Sequence, residues 1–422
     1  MLLFYTVLTS LLFPFTLILP LLNKKAKSFL NKRHLDKKKI QDFFLEPNQR
    51  VIWLHASSVG ELDQCKALAK VIRENEKDTF LLQSVFSDSV LEKNYDTENT
   101  NLTFRLPLDF YFSYDFVFKK FSPERLVLMA WDTWPHLVLA ANRHNCKVYL
   151  ACAVLDPKSK RSSFFAKGLT RAVFSRLYAI SPVDESMVES FQELSDTKVR
   201  IKAFGDSRFD SVYHKIQSKK PNEEFVKFAQ KQSQPIFILA STYKDCDSIL
   251  LPNIENLLSF NFTIWIFPHH INSSRIEEIL TSLKKRNLGV SLYSEAKNSC
   301  KDRIILFDVL GILAFAYFYG KIAYIGGAMH NKVHNVLEPA FFGLPLITGE
   351  KILNSFDAIS LKEKGTLKTV NSSKEFLEAV QYYSDEKNLE IANKTNKNYV
   401  LGHIGASLAF YNAFLKNELP TN

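Results

Sequence analysis

Short apolar, β-branched runs recur along the chain, and several end in small or polar turns that lead into helix-like segments. This alternation limits the fold more than any other feature. Val51–His55 reads as a strand and Leu62–Arg73 as an amphipathic helix. Thr79–Ser84, Leu126–Met129, Lys147–Ala151 and Leu177–Ile180 are further strand-like runs. A second series follows Pro235, with Ile236–Ala240, Thr263–Phe267, Ile304–Phe307, Ile322–Ile325 and Leu346–Thr348. Strands alternating with helices predict parallel sheets flanked by helices. Between the series lies SVYHKIQSKKPNEE, beginning at Ser211, which is polar and has no strand pattern. A chain of 422 residues suits two domains. The expectation is an α/β protein with one domain over residues 51–220 and another over 221–422.

The first 22 residues, MLLFYTVLTSLLFPFTLILPLL, carry no charge. At about 1.5 Å per residue such a helix reaches across a bilayer core. No basic stretch precedes it and no small-residue cleavage site follows, so a cleaved signal peptide is not indicated. Residues 23–50 form a basic collar. Residues 1–40 hold eight Lys/Arg and one Asp, so +7 of the formal charge of +10 lies there. By the positive-inside rule the collar places the bulk of the chain in the cytoplasm, and it suits anionic lipid head groups. Pro14 and Pro20 leave insertion from one side open as an alternative to a crossing helix. Removing residues 1–22 is expected to shift the protein partly to the soluble fraction and to spare what the rest of the chain does in detergent. The basic balance is local, and no nucleic-acid motif occurs, so nucleic acid is not expected as a partner. Five cysteines (Cys65, Cys146, Cys152, Cys246 and Cys300) are scattered without a CxxC pair, which suggests reduced thiols.

In open α/β sheets ligands sit at the carboxyl ends of strands, so the loops after strands hold the candidates. After Val51–His55 comes ASSVGE, with Ser58 able to cap a helix and Glu61 on its first turn. From the residues alone Glu61 is either a capping charge or a functional carboxylate. WDTWPH carries Asp132, GDSRFD carries Arg208, and ASTYKD carries Ser241 and Thr242. FPHH supplies Pro268 and His269, and FDVLG supplies Gly311. The run YIGGAMHNKVHNVLEPAFFGLPLITG carries Gly326, Gly327, His334, Asn335 and Glu338. There Asn335 and Glu338 suggest a capping box opening a helix that ends at Gly343, or a helix N-terminus that holds an anion while Glu338 takes a ribose. Neither GxGxxG nor GxxxxGK[ST] is present. His269, His270, His330 and His334 follow no standard zinc spacing, and no metal is expected.

Taken together and in this order, the loops resemble the 3-deoxy-D-manno-octulosonic acid (Kdo) transferases. HASSVGE is similar to that family's H-A-x-S-x-G-E, GDSRFD to its G-[ND]-x-[KR]-F-D, AST to its (G/A)-S-T, and FPHH to its P-[RH]-[HE]. AYIGG followed by HNVLEPAFFGLP resembles the glycine-pair and H-N-x-L-E segment. Asp132 stands where the family has Glu, and His269 where Arg is usual. The resemblance implies a GT-B fold, with two Rossmann-like domains facing a central cleft behind an N-terminal anchor. It implies inverting transfer of Kdo from CMP-Kdo to a lipid A precursor (lipid IVA) at the cell inner membrane, without a metal or other cofactor. It makes Glu61 the general base and sets Ser58, Asp132 and Arg208 on the acceptor side or at the transition state. Ser241, Thr242, Pro268, His269, Gly311, Gly326, Gly327, His334, Asn335 and Glu338 are then donor-binding residues. Two rivals stand beside it: a membrane-associated GT-B transferase using a UDP-sugar, similar to lipid-A-disaccharide synthase, and a non-catalytic nucleotide-sugar-binding membrane protein.

Overall fold

A computed structural model describes residues 1–155, 164–218, 220–296 and 302–416. The chain forms two compact units, Met1–Ser211 with Ile404–Asn422, and Val212–His403.

In the first unit the strands are β1 (Val51–Ala56), β2 (Phe80–Val85), β3 (Leu102–Arg105), β4 (Arg125–Met129), β5 (Lys147–Ala153), β6 (Ala179–Pro182) and β7 (Arg200–Ile201). They form one sheet in the order β3-β2-β1-β4-β5-β6-β7, and every pair is parallel. Alternate residues of β1 feed opposite faces. Val51 and Trp53 join one core, with Phe104, Phe118 and Leu126, while Ile52, Leu54 and Ala56 join the other, with Leu62, Cys65 and Leu68. All of β1 is buried, as expected of a central strand covered on both sides. The helices that matter below are α1 (Leu2–Leu22), α2 (Lys24–Asp42), α3 (Val59–Asn75), α4 (Asp115–Phe121) and α5 (Pro135–Arg143).

The second unit holds β8 (Ile236–Thr242), β9 (Thr263–Pro268), β10 (Ser291–Leu292), β11 (Ile304–Leu306), β12 (Gly320–Ile325), β13 (Leu346–Thr348) and β14 (Leu367–Thr369). Their order is β10-β11-β9-β8-β12-β13-β14, again all parallel. The chain therefore contains the two successive Rossmann-like α/β units that the GT-B expectation requires. In each sheet the order reverses beside the first strand, between β1 and β4 and between β8 and β12. Loops at the carboxyl ends of those strands flank the crevice where ligands of such sheets bind.

Three features differ from the sequence expectation. The short strands β3, β7, β10 and β14 leave too few apolar residues to stand out as runs. The units divide after Ser211 rather than at 220, and the chain returns to the first unit at Ile404. Asp210 explains the return: its buried carboxylate accepts the N–H of Gly405 at 2.5 Å and of Ser407 at 2.7 Å. Phe410, Tyr411 and Leu415 then enter the core beside Leu62 and Tyr149. Four of the cysteines are free and buried, and Cys300 lies outside the described residues. Asp210→Ala leaves one buried and one half-buried N–H group without their acceptor, so it is expected to lower stability by about 1–3 kcal/mol. Urea denaturation with an unchanged m-value is the check.

Candidate active site

At the end of β1 the backbone turns through Ser57 and Ser58 into α3. Ser58 is the N-cap, and its Oγ accepts the Glu61 N–H at 3.4 Å. Glu61 reaches back, and its Oε2 accepts the N–H of Ser57 at 2.7 Å and of Ser58 at 2.8 Å. The capping reading of Glu61 is thus realised through one oxygen. Among the described residues Oε1 carries no hydrogen bond. Burial raises the Glu61 pKa first, and the Asp132 charge raises it further; the two backbone N–H groups and His55 only partly oppose them. The carboxylate is consequently more basic than an exposed one.

Asp132 comes to this turn from the loop after β4. Ala130 precedes it at φ +58°, in the left-handed region that a non-glycine residue occupies at a cost of roughly 1 kcal/mol or more. The Asp132 carboxylate accepts the Ser57 hydroxyl and lies 2.8 Å from Nε2 of His55. Ser57 therefore bridges the two carboxylates, its N–H to Glu61 and its O–H to Asp132. His55 is fully buried, and its Nδ1 is 2.7 Å from Ser84 Oγ, which accepts Trp53 Nε1–H at 2.8 Å. A carboxylate only accepts, so His55 carries its proton on Nε2. In the neutral ring Nδ1 then accepts from Ser84, and the whole file has one polarity. Burial pushes Asp132 up, but His55 and the hydroxyl of Ser57 outweigh it and hold the carboxyl below its usual range. His55 and Ser57 were missed in the sequence reading, although both stand inside the quoted HASSVGE motif.

Arg208 is engaged within its own turn. Its Nε donates to Asp206 Oδ2 at 2.8 Å, and Nη2 lies 2.7 Å from the same oxygen. Asp206 also accepts Gln64 of α3 at 2.9 Å. GDSRFD thus works as a clasp, with Asp206 on α3 and Asp210 on the returning segment.

In the second unit Ser241 is the next-to-last residue of β8, at φ +51°, and Thr242, the last, is buried with an unpartnered Oγ1. Gly326, at the end of β12, is packed so closely that a Cβ would lie 2.1 Å from the Ser241 carbonyl. Gly327 has φ +97° and faces the Lys332 carbonyl. The close approach expected at this pair is made by the chain itself. Pro268 closes β9, and the His269 N–H donates to the Thr242 carbonyl at 3.0 Å.

Tyr243 assembles the histidines. Its ring centroid is 4.5 Å from that of His269 and 5.4 Å from that of His334, both stacked, and His269 stacks on His334 at 4.5 Å. His334 Nε2 lies 2.9 Å from the Tyr243 hydroxyl, and His330 Nδ1 lies 3.3 Å from Asp245. No group of three or more His, Cys, Asp or Glu among the described residues is arranged to hold a metal ion. Burial, then the neighbouring cationic groups, lowers the His334 pKa to about 4, and burial also lowers His269.

The expected helix between Asn335 and Gly343 is only Leu337–Phe341. Asn335 Oδ1 accepts the Leu337 N–H at 2.9 Å. Glu338 is the second helical residue, too early to close a capping box, and its carboxylate instead accepts Lys215 Nζ at 2.5 Å. Gly311 has φ +88° and lines a separate hollow with Asn222, Tyr293 and Phe315.

A model of the family described as 3-deoxy-D-manno-octulosonic-acid transferase (kdotransferase) matches residues 30–211. A bifunctional glycosyltransferase/methyltransferase of Fusobacterium nucleatum is 28% identical over 385 residues, covering 88% of this chain and 58% of that protein. The chain thus spans less than two thirds of that relative. A 3-deoxy-D-manno-octulosonic acid transferase of Haemophilus influenzae is 26% identical over 345 residues, 79% of this chain and 78% of the relative. Among solved structures, a UDP-GlcNAc 2-epimerase from Neisseria meningitidis bound to UDP-GlcNAc superposes with a TM-score of 0.63 at 15% identity, covering 87% of this chain and all of that one. At that identity the likeness concerns the fold.

The low pKa of His334 makes a stability prediction. Folded, the ring stays neutral down to about 4, while the unfolded ring takes a proton near 6.5. The stabilisation from a neutral buried ring is therefore intact above pH 6.5 and is lost as pH falls toward 4. Denaturation midpoints measured across that window should fall less steeply in His334→Gln than in the parent chain.

Proposed function

We propose that this member of the 3-deoxy-D-manno-octulosonic acid transferase family moves Kdo from CMP-Kdo to a lipid A precursor with inversion, Glu61 being the base. The observation that carries the reading is the Glu61 carboxylate: one oxygen is fixed by two N–H groups, and the other is left to accept a proton. An inverting transfer needs such a group to deprotonate the attacking hydroxyl as the anomeric carbon gains positive character. Burial and the Asp132 charge bring the carboxylate's affinity for protons toward that task. Asp132 is itself kept ionised by His55, so it contributes charge and not a proton. Arg208 in this reading acts through Asp206, on the acceptor side.

The donor belongs to the second unit. Ser241 and the unpartnered Thr242 hydroxyl offer hydrogen bonds to a phosphate, with Gly326 and Gly327 holding the backbone of the turn beside it. The imidazoles of His269 and His334 are stacked and largely uncharged, and gain a favourable partner when the donor's phosphodiester binds and, more so, as the second negative charge develops on the departing CMP. Glu338 takes the ribose hydroxyls in exchange for Lys215. Gly311 shapes the hollow of its own loop and Pro268 sets the exit from β9. The transfer is read as metal-free. In support, His269 and His334 lie face to face on Tyr243, and His330 is occupied by Asp245.

The lipid acceptor fits α1, the one helix among the described residues long and apolar enough to cross a membrane. We place the protein at the inner membrane with both units on the cytoplasmic side and α1 lying along the surface of the bilayer. The start of α1 and the helix that follows it, α2, are held by the first unit. At its start Tyr5 donates to Asp109 at 2.8 Å. Beyond its end, Arg33 and Asp36 of α2 bond to Leu106 and Arg105. The lysines of α2 then meet anionic head groups.

Two variants test the chemistry. Glu61→Gln retains an acceptor oxygen for the turn, so melting temperature and CMP affinity should hold while transfer to lipid IVA falls 10²–10⁴-fold, the usual range for loss of a general base. Turnover within about threefold of the parent, set against that range, returns Glu61 to a capping role. Asp132→Asn removes a charge that raises the Glu61 pKa. The acid limb of the kcat/KM profile should therefore move to lower pH; a limb that stays or moves up overturns the pairing.

A further inference from the structure

The apolar helix α1 has a polar edge. Leu2, Tyr5, Thr6 and Thr9 are its half-buried positions near the start, at helical spacing, while Leu3, Phe4, Val7 and Leu8 are exposed. Tyr5 and Thr6 meet a buried polar cluster of the first unit. The Asp109 carboxylate, 8% exposed, has four donors: Tyr5 and Tyr114 hydroxyls at 2.8 and 2.9 Å, and the N–H groups of His136 and Leu137, both at 3.2 Å. Those two N–H groups open α5, whose own N-cap residue, Trp134, makes no side-chain cap. Asp109 is thus a remote cap for α5. His136 Nδ1 lies 2.7 Å from the Asp109 carbonyl, which only accepts, so in the neutral ring Nε2 is an acceptor that shares the Thr6 hydroxyl, 3.0 Å away, with the Leu2 carbonyl, also at 3.0 Å.

The same loop is also built for a membrane. Phe110 packs edge-on against Phe13 of α1 at 5.1 Å, and Phe112 is 74% exposed beside Tyr111. The exposed face of α1 and the aromatic tip of this loop are therefore neighbours on one unit. Asp109 links them to α5, and α5 follows the Trp131–Pro135 loop that delivers Asp132 to the Glu61 turn.

We propose that Tyr5 and Thr6, acting through Asp109 and His136, are positioning residues for the Asp132 loop, so that seating α1 in the bilayer and setting the active turn are one event. The proposal rests on the reading of Asp132 and Glu61 above. It opposes the expectation that the first 22 residues are a detachable tether. Without them Asp109 loses a hydroxyl donor and the cap of α5 loosens.

The test uses the full-length protein in vesicles containing anionic lipid. In Tyr5→Phe/Thr6→Val the apolar face is intact, so vesicle binding and CMP affinity should be unchanged. Hydrogen exchange at the His136 and Leu137 amides should speed up, and kcat on vesicle-borne lipid IVA should fall about tenfold, the size of one lost hydrogen bond to a charged group. Thr6→Ser should restore much of the effect of Thr6→Val, and Leu8→Ala, on the exposed face, should leave exchange at these amides alone. Unchanged exchange in the double variant overturns the proposal. So does a lower melting temperature with kcat intact below it, which marks a merely structural contact. If the parent chain transfers no Kdo, the functional reading fails, and the exchange measurement still decides the coupling.

Discussion

The Glu61 carboxylate accepts the N–H groups of Ser57 and Ser58, and the active turn depends on that pair of bonds. A strand that stops at a helix leaves N–H groups without partners, and in a partly buried turn each is costly to leave unmet. A side chain returning from the first helical turn meets that need and in doing so is fixed in direction. Capping and the proposed role as a base are then not rival explanations of one residue. The bonds to Oε2 hold the carboxylate still, and the stillness is what gives Oε1 a defined place.

Charge around the turn is arranged by difference in environment. Two carboxylates share Ser57, yet they are driven in opposite directions. Asp132 has His55, with its file back through Ser84 to Trp53, and is held ionised. Glu61 is raised by burial and a negative neighbour, which outweigh the backbone N–H groups and the more distant His55. Carboxyl groups separated in this way divide the work: one keeps its charge, the other exchanges a proton. Because His55 lies next to the carboxyl end of β1, opposite Ser84 in the register, the strand pairing itself sets the electrostatics of the turn.

Much of this was legible in the sequence. The two sheets followed from β-branched runs at helix-separated spacing, and Glu61, Asp132, Ser241, Gly326 and Gly327 all sit at the carboxyl ends of strands beside a switch point. What escaped was whatever depends on distant partners. His55 reads as one more residue of a buried strand until Ser84 and Asp132 are placed beside it. Tyr243 is unremarked in ASTYKD until four imidazoles, those of His269, His270, His330 and His334, gather on its ring. The short helix at Leu337 was lengthened by a capping pattern that Lys215 in fact dissolves. The return of the chain at Ile404 left no local mark, because its cause is a carboxylate almost two hundred residues earlier.

Asp109 belongs with these long-range effects and shows their consequence for the apolar helix α1. A hydrophobic helix alone gives affinity for a bilayer but no orientation, since burial of apolar surface is non-directional. Direction comes from polar contacts that cannot be made in hydrocarbon. Tyr5 and Thr6 are among the few polar side chains in the first 22 residues, and both are spent on the folded unit. Their hydroxyls cost little at the bilayer edge while Asp109 and His136 receive them, and would cost more in lipid without partners. The same bonds therefore turn the helix's apolar side outward and tie its position to α5. On the proposed function, in which the acceptor is a lipid at the bilayer surface, the chain gains from having its membrane contact and its reactive turn built on one hydrogen-bonded frame.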